Sequence, residues 1–178
     1  MNPTANIRLD DTHKFSWAVF ICLLLLAAWF VNRTVGDLPL KVAVHFDDAG
    51  LPTSYMTAGR YRLFIVLFAV VLPIALVATM TSAYSRAKDM KLPNRDYWLA
   101  PQRIAHTRSF LVAHGIWFGS LLVAFMCFMH WLVLDANRRV PPQLSNQAVF
   151  IGLLVMLGCM IAWIGTLMVA FRRPPRDT

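Results

Sequence analysis

Histidine is the side chain best suited to chemistry near neutral pH, and three of this chain's five histidines stand where a function could use them. His45 is followed two residues later by Asp47, and in an extended segment such residues project from one face. Joined by Asp37 or Asp48, the pair would offer nitrogen and oxygen ligands to a metal ion. Zinc sites take three or four ligands at defined spacing. The expectation is therefore a hydrated histidine beside acidic turn residues, with no metal assigned. His114 and His130 share one long apolar tract, where an ionisable side chain is a functional candidate by default. Their sixteen-residue separation amounts to about 24 Å along a helix and turns them to nearly opposite faces, so they cannot share a metal or a haem. Each is expected near one membrane interface, within reach of water or headgroups. A bis-histidine haem would need a second histidine at matching depth, and the other three apolar tracts contain none.

The remaining chemistry is sparse. Cys22, Cys127 and Cys159 lie singly inside apolar tracts and are expected to be small, buried and inert. No tract interior carries Asp, Glu, Lys or Arg, so acid–base catalysis within the membrane has few candidates. No zinc-protease, nucleophile-elbow, P-loop or dinucleotide-binding motif is present. A non-enzymatic protein without a cofactor is expected.

These residues are held by a chain that is 58% hydrophobic and only 15% charged. That is too little charge to cover a soluble globule, in which roughly 25% is usual. Four apolar tracts are long enough for the ~30 Å hydrocarbon core at 1.5 Å per residue. The expected fold is an all-α, four-helix integral membrane bundle forming one domain over residues 1–178, with helices near 15–32, 62–85, 108–134 and 146–171. Pro73 is expected to kink the second helix, and Pro141 and Pro142 to delay the fourth. The first tract is read as uncleaved, because no small-x-small site follows it.

With both termini in the cytoplasm, eleven Lys and Arg lie inside and six outside, as the positive-inside rule requires. The net charge of +8 is thereby assigned to retention and anionic lipid rather than to nucleic acid. Trp17, Tyr84 and Trp117 fall near the inner interface, and Trp29, Tyr61 and Trp131 near the outer one. The implied location is a bacterial inner membrane.

Two loops stand out. In the outer loop, 33–61, Val42, Val44 and Phe46 alternate with Ala43, His45 and Asp47, the pattern of a short strand, and Asp48 to Pro52 reads as a turn. In the inner loop, 86–107, Pro93 and Pro101 bracket Asn94, Arg95, Asp96, Tyr97, Trp98 and Leu99. This stretch is expected to dip Trp98 and Leu99 into the headgroups while Arg and Lys meet anionic lipid. The sharper alternative is a docking surface for a cytosolic partner, with Arg95 and Asp96 setting specificity. Gly115 and Gly119 would let a neighbouring helix approach closely, within the bundle rather than in a dimer. Gly152, Gly158 and Gly165 suggest small-residue packing in the fourth helix.

The segment from Leu38 to Pro52, LPLKVAVHFDDAGLP, resembles the extracytoplasmic loop of the SdpI-type membrane proteins and of a related bacterial membrane family of unknown function. Leu38, Pro39, His45, Phe46, Gly50 and Pro52 carry the likeness, and LPNRDYWLAP (Leu92 to Pro101) is similar to a second segment of those proteins. Such loops often carry an Asp after the Gly-x-Pro and a Lys soon afterwards, whereas here Thr53 follows Pro52 and Arg60 is the nearest cation; characterised members are also longer, with more helices. The resemblance implies protection against a secreted toxic peptide, with membrane capture of a transcriptional regulator in one system. An SdpI-like immunity or envelope-sensing protein, acting through the outer loop, is thus the leading expectation. Two alternatives stay open: an accessory subunit of a larger membrane complex, and a metal- or haem-dependent membrane enzyme.

Overall fold

The computed structural model describes residues 3–85 and 92–172, with side chains for 13–84 and 92–172. Arg86, Lys88, Asp89 and Lys91 of the inner loop, and Arg173 and Arg176, lie outside the described residues. In chain order the elements are α1 (Pro3–Thr34), a 3-10 turn (Val35–Asp37), β1 (Lys41–Phe46), β2 (Pro52–Thr57), α2 (Ala58–Val66), a π-turn (Leu67–Val71), α3 (Leu72–Ser85), α4 (Arg95–Trp98), α5 (Ile104–Arg138) and α6 (Asn146–Arg172). Among the described residues, four helices are long and apolar enough to cross a membrane: His13–Asp37, Ala58–Tyr84, Ile104–Arg138 and Asn146–Arg172. They run past the apolar tracts at several ends, because a helix continues while its backbone bonds hold, whatever the polarity of its last turn.

The second span is continuous through Pro73 rather than simply kinked. In the π-turn the N–H of Leu72 bonds to Leu67 O, five residues back. The register therefore widens just before the residue that cannot donate, and Pro73 itself is fully buried. The extra residue also turns Ala69 into the core.

α5 is the hub. Its most apolar stretch is 44% buried, against 22% for each of the first two spans and none for α6. Apolar burial drives helix association only weakly where lipid is as apolar as leucine, so close contact must do it. Gly115 lies against Tyr84 and Met80 of α3, and a Cβ there would sit 3.3 Å from the Tyr84 ring. At Gly119 a Cβ would run into Val77 of α3 and come within 3.0 Å of Phe20 of α1. The GxxxG face is thus used inside the bundle. α6 departs from expectation: Gly152 packs on Phe128, but Gly158 and Gly165 have nothing within 4 Å. These two glycines face away from the other helices, so only the first of the three serves the expected packing.

Two cores divide the bundle. Phe20, Ala27, Val77, Ile116 and Val123 join α1, α3 and α5 over much of their length. At the hairpin end, Val31, Val35, Val42, Tyr61, Ile65 and Ala69 join α1, β1, α2 and the π-turn. The hairpin is therefore packed on the helices. The cysteines are not buried as expected: Cys22 is exposed on the outside of α1, and Cys127 and Cys159 are half-buried.

Candidate functional site

Beneath the hairpin, three elements meet on one imidazole. His130 of α5 is fully buried, with Nδ1 2.7 Å from the Tyr61 hydroxyl and Nε2 2.8 Å from Thr34 Oγ1. Thr34 donates its own proton to Phe30 O at 2.7 Å, so it must accept from Nε2–H. Nδ1 is then the acceptor, and Tyr61 donates to it. The chain of bonds runs one way, Tyr61 to His130 to Thr34 to the backbone of α1, and fixes the neutral tautomer. Phe30 packs edge-on against the ring at 5.2 Å and Tyr61 stacks at 5.7 Å. His130 was expected to reach water near an interface. Instead the hairpin-side ends of α1 and α2 close over it, and their hydroxyls satisfy both of its nitrogens.

His114 differs from expectation in the same way. It is buried between Phe110 and Trp163, its ring 4.4 Å from the Trp163 ring, while its backbone oxygen accepts from Trp163 Nε1 at 3.0 Å. Its Nε2 has no hydrogen-bond partner among the described residues. This contact is a main tie between α5 and α6.

The hairpin is bolted to the helices at three points. Ala43 directs its N–H and C=O away from β2 and toward Asn137 of α5. The Asn137 amide accepts from Ala43 N at 2.8 Å and donates to Ala43 O at 3.0 Å, taking the place of a third strand. Gly50 O accepts from Leu144 N at 2.9 Å, in the link before α6. Asn146 Nδ2 donates to Asp48 O at 2.6 Å. Gly50 has φ +76°, and a Cβ would press into Leu144 O, so this position requires glycine twice over.

Within the hairpin, β1 and β2 pair antiparallel, Lys41 with Thr57 through Ala43 with Tyr55; the register then shifts so that His45 faces Ser54 and Phe46 faces Pro52. Val44 and Thr53 are the extra residues of two opposed bulges. His45 Nδ1 lies 2.7 Å from Ser54 Oγ. Asp47 sits in the turn, where its Oδ1 accepts from Ala49 N at 2.9 Å and Leu51 N at 2.8 Å. The imagined His45–Asp47 ligand pair is therefore divided: the carboxylate holds its own turn, and the imidazole faces the other strand. Among the described residues no group of three or more His, Cys, Asp or Glu could hold a metal ion. Leu38 packs on the hairpin-end core, Phe46 and Pro52 are half-buried, and Pro39 is exposed.

A cavity of about 430 Å³ opens between α2, the π-turn and α5, roofed by the hairpin. Its walls include Val44, Met56, Ile65, Phe68, Met126 and Val133, and His45, Tyr61 and His130 border it.

At the opposite end of the bundle, α4 is one turn, started by Asn94 in the left-handed region at φ 52°. Arg103 lies 3.6 Å from the centre of the Tyr97 ring, and Thr107 Oγ1 donates to Trp98 O at 2.8 Å. Trp98 does not project freely as expected; its ring meets Phe171 of α6 at 5.4 Å, so it clamps the loop to the bundle. Arg95 and Asp96 are exposed and, with Leu99, Pro101 and Ile104, line an open cleft; Pro93 is exposed beside them.

Comparison with protein-family models, curated proteins and solved structures returns no match. Function must be read from this geometry. Sequence reasoning singled out His45, Gly50 and His130 but missed Asn137, Thr34 and the role of Tyr61. One signal was available for Asn137: an amide one or two turns beyond an intramembrane histidine, on the same apolar helix, needs a partner.

Proposed function

We propose that this chain is a non-enzymatic, multi-pass membrane receptor of the SdpI-like type, which blocks or senses an extracellular peptide or envelope condition through its hairpin. One observation carries this reading: the hairpin is hydrogen-bonded to α5 through Asn137, to α6 through Asn146 and to the link before α6 through Leu144, and it shares a core with α1 and α2. A loop that only connected two helices would need no such fastening. A platform whose displacement must be felt by the bundle does. The excess of Lys and Arg on the α4 side supports a reading in which the hairpin lies outside a bacterial inner membrane and the α4 loop meets anionic lipid or a cytosolic regulator.

The test is a challenge experiment. Cells lacking the gene are exposed to secreted membrane-active peptides and to envelope stress. They are expected to be hypersensitive to at least one challenge. The native chain restores resistance, and Asn137→Leu, at equal membrane abundance, does not. Unaltered sensitivity across the panel would remove the receptor reading.

The unpacked face of α6 favours one alternative, an accessory subunit of a larger complex. A fixed-ratio set of membrane subunits retained in mild detergent would establish it instead.

A further inference from the structure

The cavity under the hairpin has a largely apolar wall and carries its few polar groups toward the hairpin. At one end stand His45, Tyr61 and His130, and at the other Phe68 and Phe125. Tyr61 and Phe68 are seven residues apart on one span, or about 10 Å of helix, so the long axis of the cavity follows the helices and hence the lipid chains. Its volume of about 430 Å³ falls within the range of small-ligand sites. Met56, Met126 and Met129 line it, a wall that adapts to a flexible chain better than to a rigid ring.

The polar end is selective in what it leaves unused. Tyr61 and His130 satisfy each other and Thr34. His45 spends Nδ1 on Ser54 and is itself exposed, so its Nε2 edge remains for a ligand. The second cavity, of about 410 Å³ between α5 and α6, has no such end: Leu121, Phe128, Ile151 and Val155 are typical of its wall. It can take an acyl chain but cannot choose one.

We propose that the cavity under the hairpin binds a single-chain lipid of the surrounding membrane, of fatty-acid or lysophospholipid class. The acidic head accepts from His45 Nε2–H, and the hydrocarbon chain lies between α2 and α5. This deepens the receptor reading and rests on it for its purpose: an occupied cavity supports the roof, which is the hairpin itself.

The experiment uses the full chain in nanodiscs and dansyl-labelled undecanoic acid as the probe. A saturable rise in dansyl emission is expected. Val133→Phe, which partly fills the cavity, weakens binding by at least about ten-fold, and Met56→Trp, which partly fills it from the hairpin, does so independently should the first variant fold poorly. His45→Ala weakens binding about ten-fold, the worth of one hydrogen bond to a charged group. Ala148→Leu, in the α5–α6 cavity, leaves it unchanged. Mass spectrometry of lipids extracted from the purified protein should find single-chain species on the native chain and fewer on either variant. Emission no greater than in empty nanodiscs, or binding undiminished in a folded variant of either kind, overturns the proposal. Neither result touches the cellular challenge. Conversely, failure of that challenge with probe binding intact removes the receptor reading alone.

Discussion

His130 shows how a membrane interior tolerates a polar side chain. A backbone or side-chain group left unpaired in hydrocarbon costs several kcal/mol, yet interhelical hydrogen bonds in membrane proteins are worth only about 0.6 kcal/mol on average, because unfolded helices find other partners. The penalty for breaking the chain should therefore exceed the gain from forming any single link. His130→Ala orphans the Tyr61 hydroxyl and opens a hole, while Thr34 keeps its bond to Phe30. It is expected to lower stability by about 2–4 kcal/mol. Tyr61→Phe should cost about 1 kcal/mol, since His130 Nδ1 then lacks a donor. The double variant should show a coupling of about 1 kcal/mol. Reversible unfolding in mixed micelles measures all three, and strict additivity would mean that the bond contributes nothing.

Among the helices, packing follows the small residues. Gly119 lets α1 and α3 both close on α5, and a larger side chain there must displace Val77 and Phe20 together. Gly119→Leu is expected to destabilise by at least about 3 kcal/mol, at the upper end of overpacking costs. Gly158→Leu on α6, where nothing lies within 4 Å, should be tolerated, and any change should be a slight gain from better helix propensity. Thermal melts in detergent, followed by circular dichroism, separate the two. Equal loss at both positions would indicate that α6 is covered by a second surface, as the accessory-subunit reading requires.

For the whole molecule, the spans and the hairpin define two ends. Ala49 is exposed at the hairpin tip and Gln102 beside α4. In a cysteine-free background, Ala49→Cys should react with a membrane-impermeant maleimide on intact cells, and Gln102→Cys only after permeabilisation. The reverse pattern would invert the orientation inferred from Lys and Arg and place the proposed lipid site in the inner leaflet. Labelling of Ala49→Cys should also fall little when Asn137 is changed, because the turn is held by Asp47 within itself.

Composition and local pattern alone determined the four apolar helices, the strand beginning near Val42 and the turn around Gly50. Each of these depends on residues close in sequence: a run of apolar side chains, an alternation, or a carboxylate capping its own turn. Depth along a helix was also legible, which is why His130 was marked. Its surroundings were not. Thr34 and Tyr61 lie 96 and 69 positions away, and Asn137 reaches Ala43 across 94. A sequence without charges in its spans shows how deep a residue lies but not which helix faces it. The glycine contacts, the widened turn before Pro73 and the bulged hairpin settled that, and only tertiary packing could bring the Thr34 and Tyr61 hydroxyls to the His130 imidazole and the Asn137 amide to Ala43.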